Sequence, residues 1–294
     1  MTYRTIFVAA SGGSASQGAL DLACRLARRF ESHLEAFHVR ADPREAVLAY
    51  GDGFGSPVVG ELMERTAQEV AETAARTKQQ FDKAIAEHGL PLKAEPPALK
   101  PGETVALEAS VAWREETGFA GDLIPRRARL FDLVVLGRSD RVVDQPHTDV
   151  LEDTVMRCGR PVLLSPAQVP RELGQSIAIA WNASAEAARA VAGALPFLRK
   201  AKSVRVLTLG AADTADGPAL VKALAWRGIG ATARHIAPVH GAGVGEQLLA
   251  GARDDGSDML VMGGYGKAPW REMLLGGATR QVVGTSLLPI LIAH

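Results

Sequence analysis

Residues 5–14 of the chain read TIFVAASGGS, and residues 176–184 repeat the pattern as SIAIAWNAS. Each stretch is an apolar run that ends in a small polar turn. An alanine-rich segment follows each turn, with apolar residues at the spacing of one helix face. We therefore predict that the same strand, turn and helix occur twice in the chain.

The ends of the two halves match as well. FDLVVLG at residues 131–137 corresponds to SDMLVMG at 257–263, and RPVLL at 160–164 corresponds to LPILI at 288–292. Strands that alternate with helices predict parallel sheets built from right-handed strand–helix–strand units. The nearly continuous apolar runs are typical of strands that are buried on both faces.

The predicted fold class is α/β, with two tandem, open, parallel-sheet domains of the Rossmann-like kind. A boundary near Pro166 and Pro170 gives domains at residues 1–168 and 169–294. Both halves end in a short apolar strand, and the free edge of such a strand invites pairing with another strand. One chain makes that pairing intramolecular, so we expect the two domains to pack as a pseudo-dimer.

The first half carries an insertion at residues 40–108, which contains a long predicted helix from Val58 to His88. The other predicted elements are strands at 110–113 and 232–236 and helices at 119–130, 218–226 and 244–253.

Composition and charge exclude several classes of protein. The 294 residues include 33 basic and 33 acidic side chains, and this balance disfavours a protein that coats nucleic acid. No stretch approaches the ~20 apolar residues of a membrane helix, so we expect a cytoplasmic protein with no membrane partner. Cys24 and Cys158 form no zinc motif or disulfide framework. We expect an inert buried thiol at Cys24 and a more exposed one at Cys158.

A glycine-rich segment after the predicted strand at residues 259–262 carries most of the functional information. Its spaced glycines are Gly263, Gly266 and Gly276. Glycines let backbone N–H groups approach a phosphate, and a helix N-terminus adds unpaired donors and a partial positive charge. Thr279 offers a hydroxyl, and Lys267 or Arg271 offers positive charge. The spacing favours a phosphate site at this strand end, although tight turns alone would also explain the glycines.

This segment and the repeated halves together resemble the universal stress protein family. The family's nucleotide loop has the pattern Gly-x2-Gly-x9-Gly followed by Ser or Thr, and the three glycines stand at that spacing here. The resemblance covers both halves. It implies a five-stranded parallel sheet in each half, pairing of the sheets through their last strands, and a stress-response role in which the loop holds ATP.

Two positions in the second half depart from the family's ATP-binding members. Those members have an Asp near the adenosine at the end of the first strand, where this chain has Asn182, which keeps an acceptor oxygen but no charge. Gly277 replaces the Ser or Thr after the third glycine, while Thr279 matches a position that also helps to hold the phosphates. The resemblance implies these nucleotide-binding residues: Asn182, Gly263, Gly266, Lys267, Gly276, Gly277 and Thr279.

The corresponding site of the first half is predicted to be degenerate. Ser11 stands at the Asp position, and only Gly137 remains of the three glycines. Three carboxylates would repel a triphosphate there: Asp140, Asp144 and Asp149. We therefore expect nucleotide to bind the second half alone.

Two other features of the first half have structural interpretations. Residues 12–14, Gly-Gly-Ser, predict a turn and a helix cap. His38 lies on a predicted strand, and we expect it to pack in the core. No motif in the sequence predicts a catalytic nucleophile or a metal site.

Three functions remain open. The preferred one is a regulatory protein that binds ATP or a related adenine nucleotide, with or without Mg²⁺, and hydrolyses it slowly or not at all. The second is an interaction scaffold of the same family that binds no nucleotide. The third is an enzyme that activates a substrate with ATP, for which the chain shows no partner motif. Protein partners or a homodimer are compatible with all three.

Overall fold

Strands alternate with helices in the computed structural model, which describes residues 2–42, 56–138, 145–166, 168–210, 216–264 and 277–294. The first half contains β1 (Thr5–Ala10), α1 (Ser14–Phe30), β2 (His33–Arg40), α2 (Ser56–His88), β3 (Ser110–Thr117), α3 (Ala120–Ala128), β4 (Leu133–Gly137), α4 (Gln145–Arg157) and β5 (Val162–Ser165). The second half repeats this order with β6 (Ser176–Ala180), α5 (Ala185–Leu198), β7 (Ser203–Leu209), α6 (Gly217–Ala225), β8 (Thr232–Ile236), α7 (Val244–Asp254), β9 (Met259–Gly263), α8 (Gly277–Thr285) and β10 (Ile290–Ala293).

These strands form one sheet in the order β3-β2-β1-β4-β5-β10-β9-β6-β7-β8. Within each half the strands pair in parallel, whereas β5 and β10 pair antiparallel, with Leu163 opposite Leu291. The two sheets are thus joined through their last strands. This confirms the predicted α/β fold of two tandem domains packed as a pseudo-dimer. The chain crosses between the halves from Ser165 to Ser176, and the boundary at residues 168 and 169 stays a prediction.

Neighbouring strand residues pack on opposite faces of the sheet. Ile6 belongs to a core that also contains Phe81 of α2 and Phe197 of α5. Phe7 belongs to the core on the other face, with Ile124 of α3 and residues of α4, α7 and α8. Each core contains residues from both halves, so the burial of apolar surface continues across the junction of β5 and β10.

A buried arginine links the two halves at this junction. Arg138 directly follows β4 and is 5% exposed. Its guanidinium donates to the carbonyl oxygen of Val283 at 2.5 Å and to that of Ser286, at the C-terminal end of α8. A cation at this end of a helix also compensates the helix dipole. The first half therefore holds the helix that follows the glycine-rich segment of the second half.

Most predicted elements have the expected bounds to within a few residues. The long insertion helix is α2, and β8 has the predicted ends. The strand predicted at residues 110–113 is longer, because β3 continues to Thr117 opposite β2. The helix cap predicted within residues 12–14 is confirmed. Gly13 is the N-cap, with an extended backbone, and Ser14 is the first helical residue.

Both cysteines are free and buried. Cys24 lies on the inner face of α1, and burial, with the nearby Asp21 carboxylate, raises the pKa of its thiol to about 12. The prediction that Cys158 is more exposed is wrong. It packs in the core beside α4 with 2% exposure, and burial raises its pKa. Neither residue is a ready thiolate nucleophile at neutral pH.

Two kinds of feature are not found in the described part of the chain. None of its helices combines the length and the hydrophobicity that a bilayer crossing requires. No group of three or more His, Cys, Asp or Glu side chains is placed to hold a metal ion.

Candidate functional site

Each half of the sheet has one crevice where the strand order reverses. In the first half β1 lies between β2 and β4, and in the second half β6 lies between β7 and β9. At such a point, the connections that follow two neighbouring strands lead in opposite directions. Open α/β sheets bind ligands in the crevice that this leaves beyond the carboxyl ends of the two strands. Asn182 follows β6 and Gly263 ends β9, where Ala180 pairs with Met262. The structure therefore brings these two predicted residues to one crevice.

Gly263 has a packing role that the sequence did not indicate. A Cβ at this position would lie 2.5 Å from the backbone nitrogen of Ala187 and 2.8 Å from the carbonyl carbon of Glu186. Its counterpart Gly137 is equally confined, because a Cβ there would lie 2.3 Å from the carbonyl oxygen of Ala15. In both halves this glycine allows the first helix to pack directly on a strand end.

Asn182 is exposed, and its side chain is engaged locally. Its Oδ1 accepts the backbone N–H of Ser184 at 3.1 Å. Ser184 is the N-cap of α5, and its hydroxyl oxygen accepts the N–H of Ala187 at 3.1 Å. The protein's own side chains therefore satisfy part of the N-terminus of α5.

A carboxylate also lies at this helix end. Glu186 is in the first turn of α5 and pairs with Arg189 at 3.0 Å. The pKa of the Glu186 carboxyl lies below its ordinary value, chiefly because its own backbone N–H donates to it. Partial burial opposes this shift, while the Ser184 hydroxyl and Arg189 support it. Negative charge therefore already occupies the positive end of α5.

Two of the remaining predicted residues lie at the start of α8. Gly277 is the first residue of α8, and Thr279 is buried in its first turn. A Cβ on Gly264 would lie 3.8 Å from the Cγ2 atom of Thr279, so this turn packs beside the end of β9. Gly266, Lys267 and Gly276 lie outside the described residues, as do Asp140, Asp144 and the side chain of Asp149. Their roles stay predictions.

The crevice of the first half contains a cavity of about 370 Å³. The start of α1, the ends of β2 and β4, and parts of α2, α3 and α4 form its walls. Lining side chains from these elements include Ser14, His38, Val70, Ile124, Leu136 and Leu151. The sequence predicted a degenerate site here and did not indicate a cavity.

The inserted helix α2 forms one wall and is anchored to the turn before α1. Arg76 and Gln80 donate to the carbonyl oxygen of Gly12 at 3.2 and 3.1 Å. Gly12 has a positive φ of 77°, and a Cβ there would meet the hydroxyl oxygen of Thr77 at 2.6 Å. The turn therefore requires glycine both for its backbone conformation and for the close approach of α2.

His38 lines the cavity and is 3% exposed, so its predicted burial is confirmed. Its ring stacks beside Trp113, and its Nδ1 lies 2.8 Å from the carbonyl oxygen of Ala10. A carbonyl can only accept, so Nδ1 carries the proton. Within the described residues, the buried Nε2 atom has no hydrogen-bond partner. The strand registers place Thr208 at the equivalent position of the second half, and its hydroxyl contacts His235 Nδ1 at 3.2 Å.

The N-terminus of α1 differs from that of α5. Its N-cap is Gly13, which has no side chain to accept a hydrogen bond, and its first turn contains no acidic residue. A helix leaves its first N–H groups without partners inside the helix. The start of α1 therefore presents donors and a positive potential at the wall of the cavity. Two signals in the sequence pointed here: a Gly-Gly pair before a helix, and a long insertion helix.

Similarity to known proteins identifies the family and the fold of the chain. Residues 2–164 match the model of the Universal stress protein family. A curated universal stress protein of Methanocaldococcus jannaschii is 38% identical over 47 residues, which are 16% of this chain and 29% of that protein. The chain thus matches less than a third of that relative's length.

Two solved structures resemble the whole chain. A universal stress protein from Archaeoglobus fulgidus superposes with a TM-score of 0.65 at 14% identity, over 98% of this chain and 97% of its own. A functionally unknown protein from Pseudomonas aeruginosa gives a TM-score of 0.54 at 14% identity, over 99% and 92%. At such low identity these likenesses establish the fold. Because the family model spans residues 2–164 of 294, the chain belongs to the universal stress protein family.

Proposed function

We propose that the chain is a stress-response regulator that binds ATP or a related adenine nucleotide in its second half, with little turnover. One observation carries this: the first turn of α8 packs beside the end of β9 at the second crevice. A helix N-terminus in that position offers N–H donors to a phosphate. The glycine spacing between Gly263 and Gly276 and membership of the family support the same ligand.

The two helix ends near this crevice favour one orientation of the nucleotide. The positive end of α5 is already occupied by the Ser184 hydroxyl and the Glu186 carboxylate. The phosphates would therefore bind at the start of α8, where Gly277 supplies backbone and Thr279 supplies a hydroxyl. The adenosine would lie near Asn182, whose exposed amide N–H₂ group makes no hydrogen bond within the described residues.

Slow turnover is expected from the groups that surround this crevice. Fast phosphoryl transfer needs an oriented water, a residue that positions it, and a cation that stabilises the transition state. The Asn182 amide has no useful basicity, and the Glu186 carboxylate is held by its own backbone and by Arg189. Lys267 could offset phosphate charge, but equal stabilisation of ground and transition states does not raise kcat.

A scaffold without nucleotide is the second candidate. It is favoured by the hydrogen bond that Asn182 makes within its own turn. The side-chain oxygen of Asn182 already accepts the backbone N–H of Ser184, and the amide lacks the negative charge of an Asp. In this case the second crevice would stay empty, and the protein would act through its surface.

Mass spectrometry of the purified and denatured chain, followed by calorimetric titration with ATP, distinguishes these functions. We expect one site per chain, and we expect Gly276→Asp to abolish binding, because a carboxylate added to the glycine-rich segment would repel the phosphates. Gly230→Asp adds the same charge at an exposed glycine with open space around it and should bind ATP normally. No co-purified nucleotide and no binding heat would favour the scaffold, and two equivalent sites would contradict a degenerate first half.

A phosphate-release assay tests turnover separately. We expect a rate well below the ~1–100 s⁻¹ typical of kinases. A rate above about 1 s⁻¹ that is lost in Gly276→Asp would show that catalytic groups are present.

A further inference from the structure

We propose that the end of the first half where α3 and α4 terminate is a docking surface for a phosphorylated segment of a partner protein. The phosphoryl group would bind between the side chains of Arg129 and Arg160. Arg129 is the C-cap of α3, and Arg160 lies three positions after the last residue of α4. Both residues are exposed, and neither belongs to the nucleotide site proposed for the second half.

The two arginines brace the same pair of backbone turns in opposite directions. Nε of Arg129 donates to the carbonyl oxygen of Arg157 at 3.2 Å, and Nε of Arg160 donates to the carbonyl oxygen of Arg129 at 2.9 Å. These bonds supply donors to carbonyl oxygens at the C-terminal ends of two helices. They also hold both guanidinium groups in place before a ligand arrives, which lowers the entropy cost of binding.

The terminal N–H groups of both guanidiniums stay available to a ligand. Within the described residues, only the Nε atom of each side chain makes a hydrogen bond, and neither side chain pairs with a carboxylate. The neighbouring Arg157 pairs with Asp122 at 2.8 Å and with Asp153 at 3.7 Å. These two carboxylates are therefore engaged, and no ion pair balances the charges of Arg129 and Arg160.

The second half does not have this pair of arginines. The alignment of the two repeats places Asp255 at the position of Arg129 and Leu288 at the position of Arg160. Asp255 forms an ion pair with Arg234 at 2.9 Å. The same fold therefore forms without the two arginines, so its packing does not require them.

A phosphate monoester matches this pair in charge and in geometry. It carries about −1.5 to −2 charges at pH 7, which is close to the two positive charges, whereas a carboxylate would balance one of them. A planar guanidinium binds phosphate oxygens through two parallel N–H bonds. The terminal N–H groups of Arg129 and Arg160 offer two such forks.

Exposed apolar side chains next to these turns favour a protein segment as the source of the phosphate. Leu130 follows Arg129 in the chain and is 65% exposed, and Met156 in the last turn of α4 is 43% exposed. Together with the arginines they form an open surface and not an enclosed pocket. Arginine clusters on open surfaces recognise phosphorylated segments, and an apolar residue beside the phosphorylated one would contact Leu130.

Fluorescence anisotropy of a labelled peptide with the full chain tests this surface. The probe is the peptide Gly-Leu-Ser-Leu-Gly with a phosphorylated serine, and the same peptide without the phosphate is its control. At pH 7.5 we expect the phosphopeptide to bind more tightly by about tenfold or more. The difference should shrink at pH 5, because the second pKa of the phosphate is about 6 and one of its charges is lost.

Variants of the two arginines locate the phosphate. Arg129→Gln and Arg160→Gln change exposed side chains and should each weaken phosphopeptide binding about tenfold. Arg160→Lys keeps the charge without the fork and should lose less. The matched control is Arg253→Gln, at an exposed arginine in the last turn of the equivalent helix α7, which should bind normally. Thermal unfolding of each variant checks the fold.

A serine in place of Leu130 tests the apolar part of the surface. Leu130→Ser should weaken phosphopeptide binding about threefold, because the leucine of the peptide loses an apolar contact. It should leave the effect of pH unchanged.

Several outcomes would overturn this assignment. These are equal affinity for the two peptides, unchanged affinity in both Arg129→Gln and Arg160→Gln, and an equal loss in Arg253→Gln. Inorganic phosphate that binds as tightly as the phosphopeptide would indicate a site for a free anion. Tighter binding to vesicles of an anionic phospholipid would indicate a membrane surface as the partner. The measurements contain no nucleotide, so none of these results depends on whether ATP binds the second half.

Discussion

The first helices of the two halves occupy equivalent places in the sheet but begin differently. α5 starts at Ser184, whose hydroxyl caps it, and carries Glu186 in its first turn. α1 begins at Ser14 after the N-cap Gly13, which has no side chain to accept a hydrogen bond, and its first turn has no acidic residue; it lies beside a cavity of which the long helix α2 forms one wall. The equivalent connection in the second half carries α6, which has nine residues against 33 in α2.

The family's glycine pattern therefore lies in one half, and the first helix that has no side-chain cap lies in the other. The second half has the glycine-rich segment but a first helix whose N-terminus is partly satisfied by the protein's own side chains. The first half has lost two of the three glycines, but its first helix has no side-chain cap and its buried His38 has an Nε2 atom without a hydrogen-bond partner within the described residues. We therefore expect ligand binding by each half to depend on its helix caps and covering helices, and not on the shared fold alone.

The largest effect should come from the paired glycines that pack against the two first helices. Gly137→Val and Gly263→Val should each lower the free energy of unfolding by about 3 kcal/mol or more, because the new side chain meets backbone atoms that cannot move aside. Urea unfolding of both variants measures this, with Gly230→Val as an exposed control. If Gly263→Val lost ATP binding but kept full stability, Gly263 would serve the ligand and not the packing.

A smaller effect should come from the arginine that crosses between the halves. Arg138→Ala leaves buried carbonyl oxygens at the end of α8 without their charged donor, so we expect a loss of about 2–3 kcal/mol. Arg138→Lys keeps the charge but not the forked geometry and should lose less. Thermal unfolding monitored by circular dichroism measures both. Unchanged stability in Arg138→Ala would mean that water replaces the guanidinium at no cost.

The smallest effect should come from Glu186, and it should depend on pH. The pKa of Glu186 is lowered in the folded chain from an ordinary value of 4.5, so its charge stabilises the fold above that pH. This contribution is lost as the pH falls through the lowered pKa. Glu186→Gln should therefore be less stable by under about 1 kcal/mol at pH 7. Near pH 3, closer to the lowered pKa, the difference should be smaller.

Urea unfolding at both pH values provides the measurement for Glu186→Gln. Glu95→Gln, at an exposed loop residue, serves as the control. An equal loss of stability at both pH values would point to packing of the side chain and not to its charge.

The fold was predictable because its signals are local and occur twice. Apolar runs such as IFVAA and IAIA predict buried strands. The alanine-rich segments after them predict helices with one apolar face. The pairing of β5 with β10 also followed from the sequence, since two short apolar edge strands in one chain have each other as the nearest partner.

The site was harder to predict because it depends on contacts between distant residues. The sequence shows a glycine after a strand but not whether that glycine makes room for a phosphate or for a helix. Only the close approach of the Ala187 backbone shows the packing role of Gly263. The cavity arises because Arg76 and Gln80 fix α2 over the turn at Gly12, 64 and 68 residues away. Likewise, the tautomer of His38 is set by the carbonyl of Ala10 on the neighbouring strand, to which Nδ1 donates.

The antiparallel junction of β5 and β10 has a consequence for how such a protein can evolve. In a homodimer joined by the same strands, every substitution appears in both subunits, so a change that improves one crevice alters the other in the same way. A single chain with two covalently linked halves is free of this constraint. A serine can cap one helix while a glycine leaves the other open, and a histidine can replace a threonine on one side only. Duplication followed by fusion thus permits two different pockets under one inherited architecture.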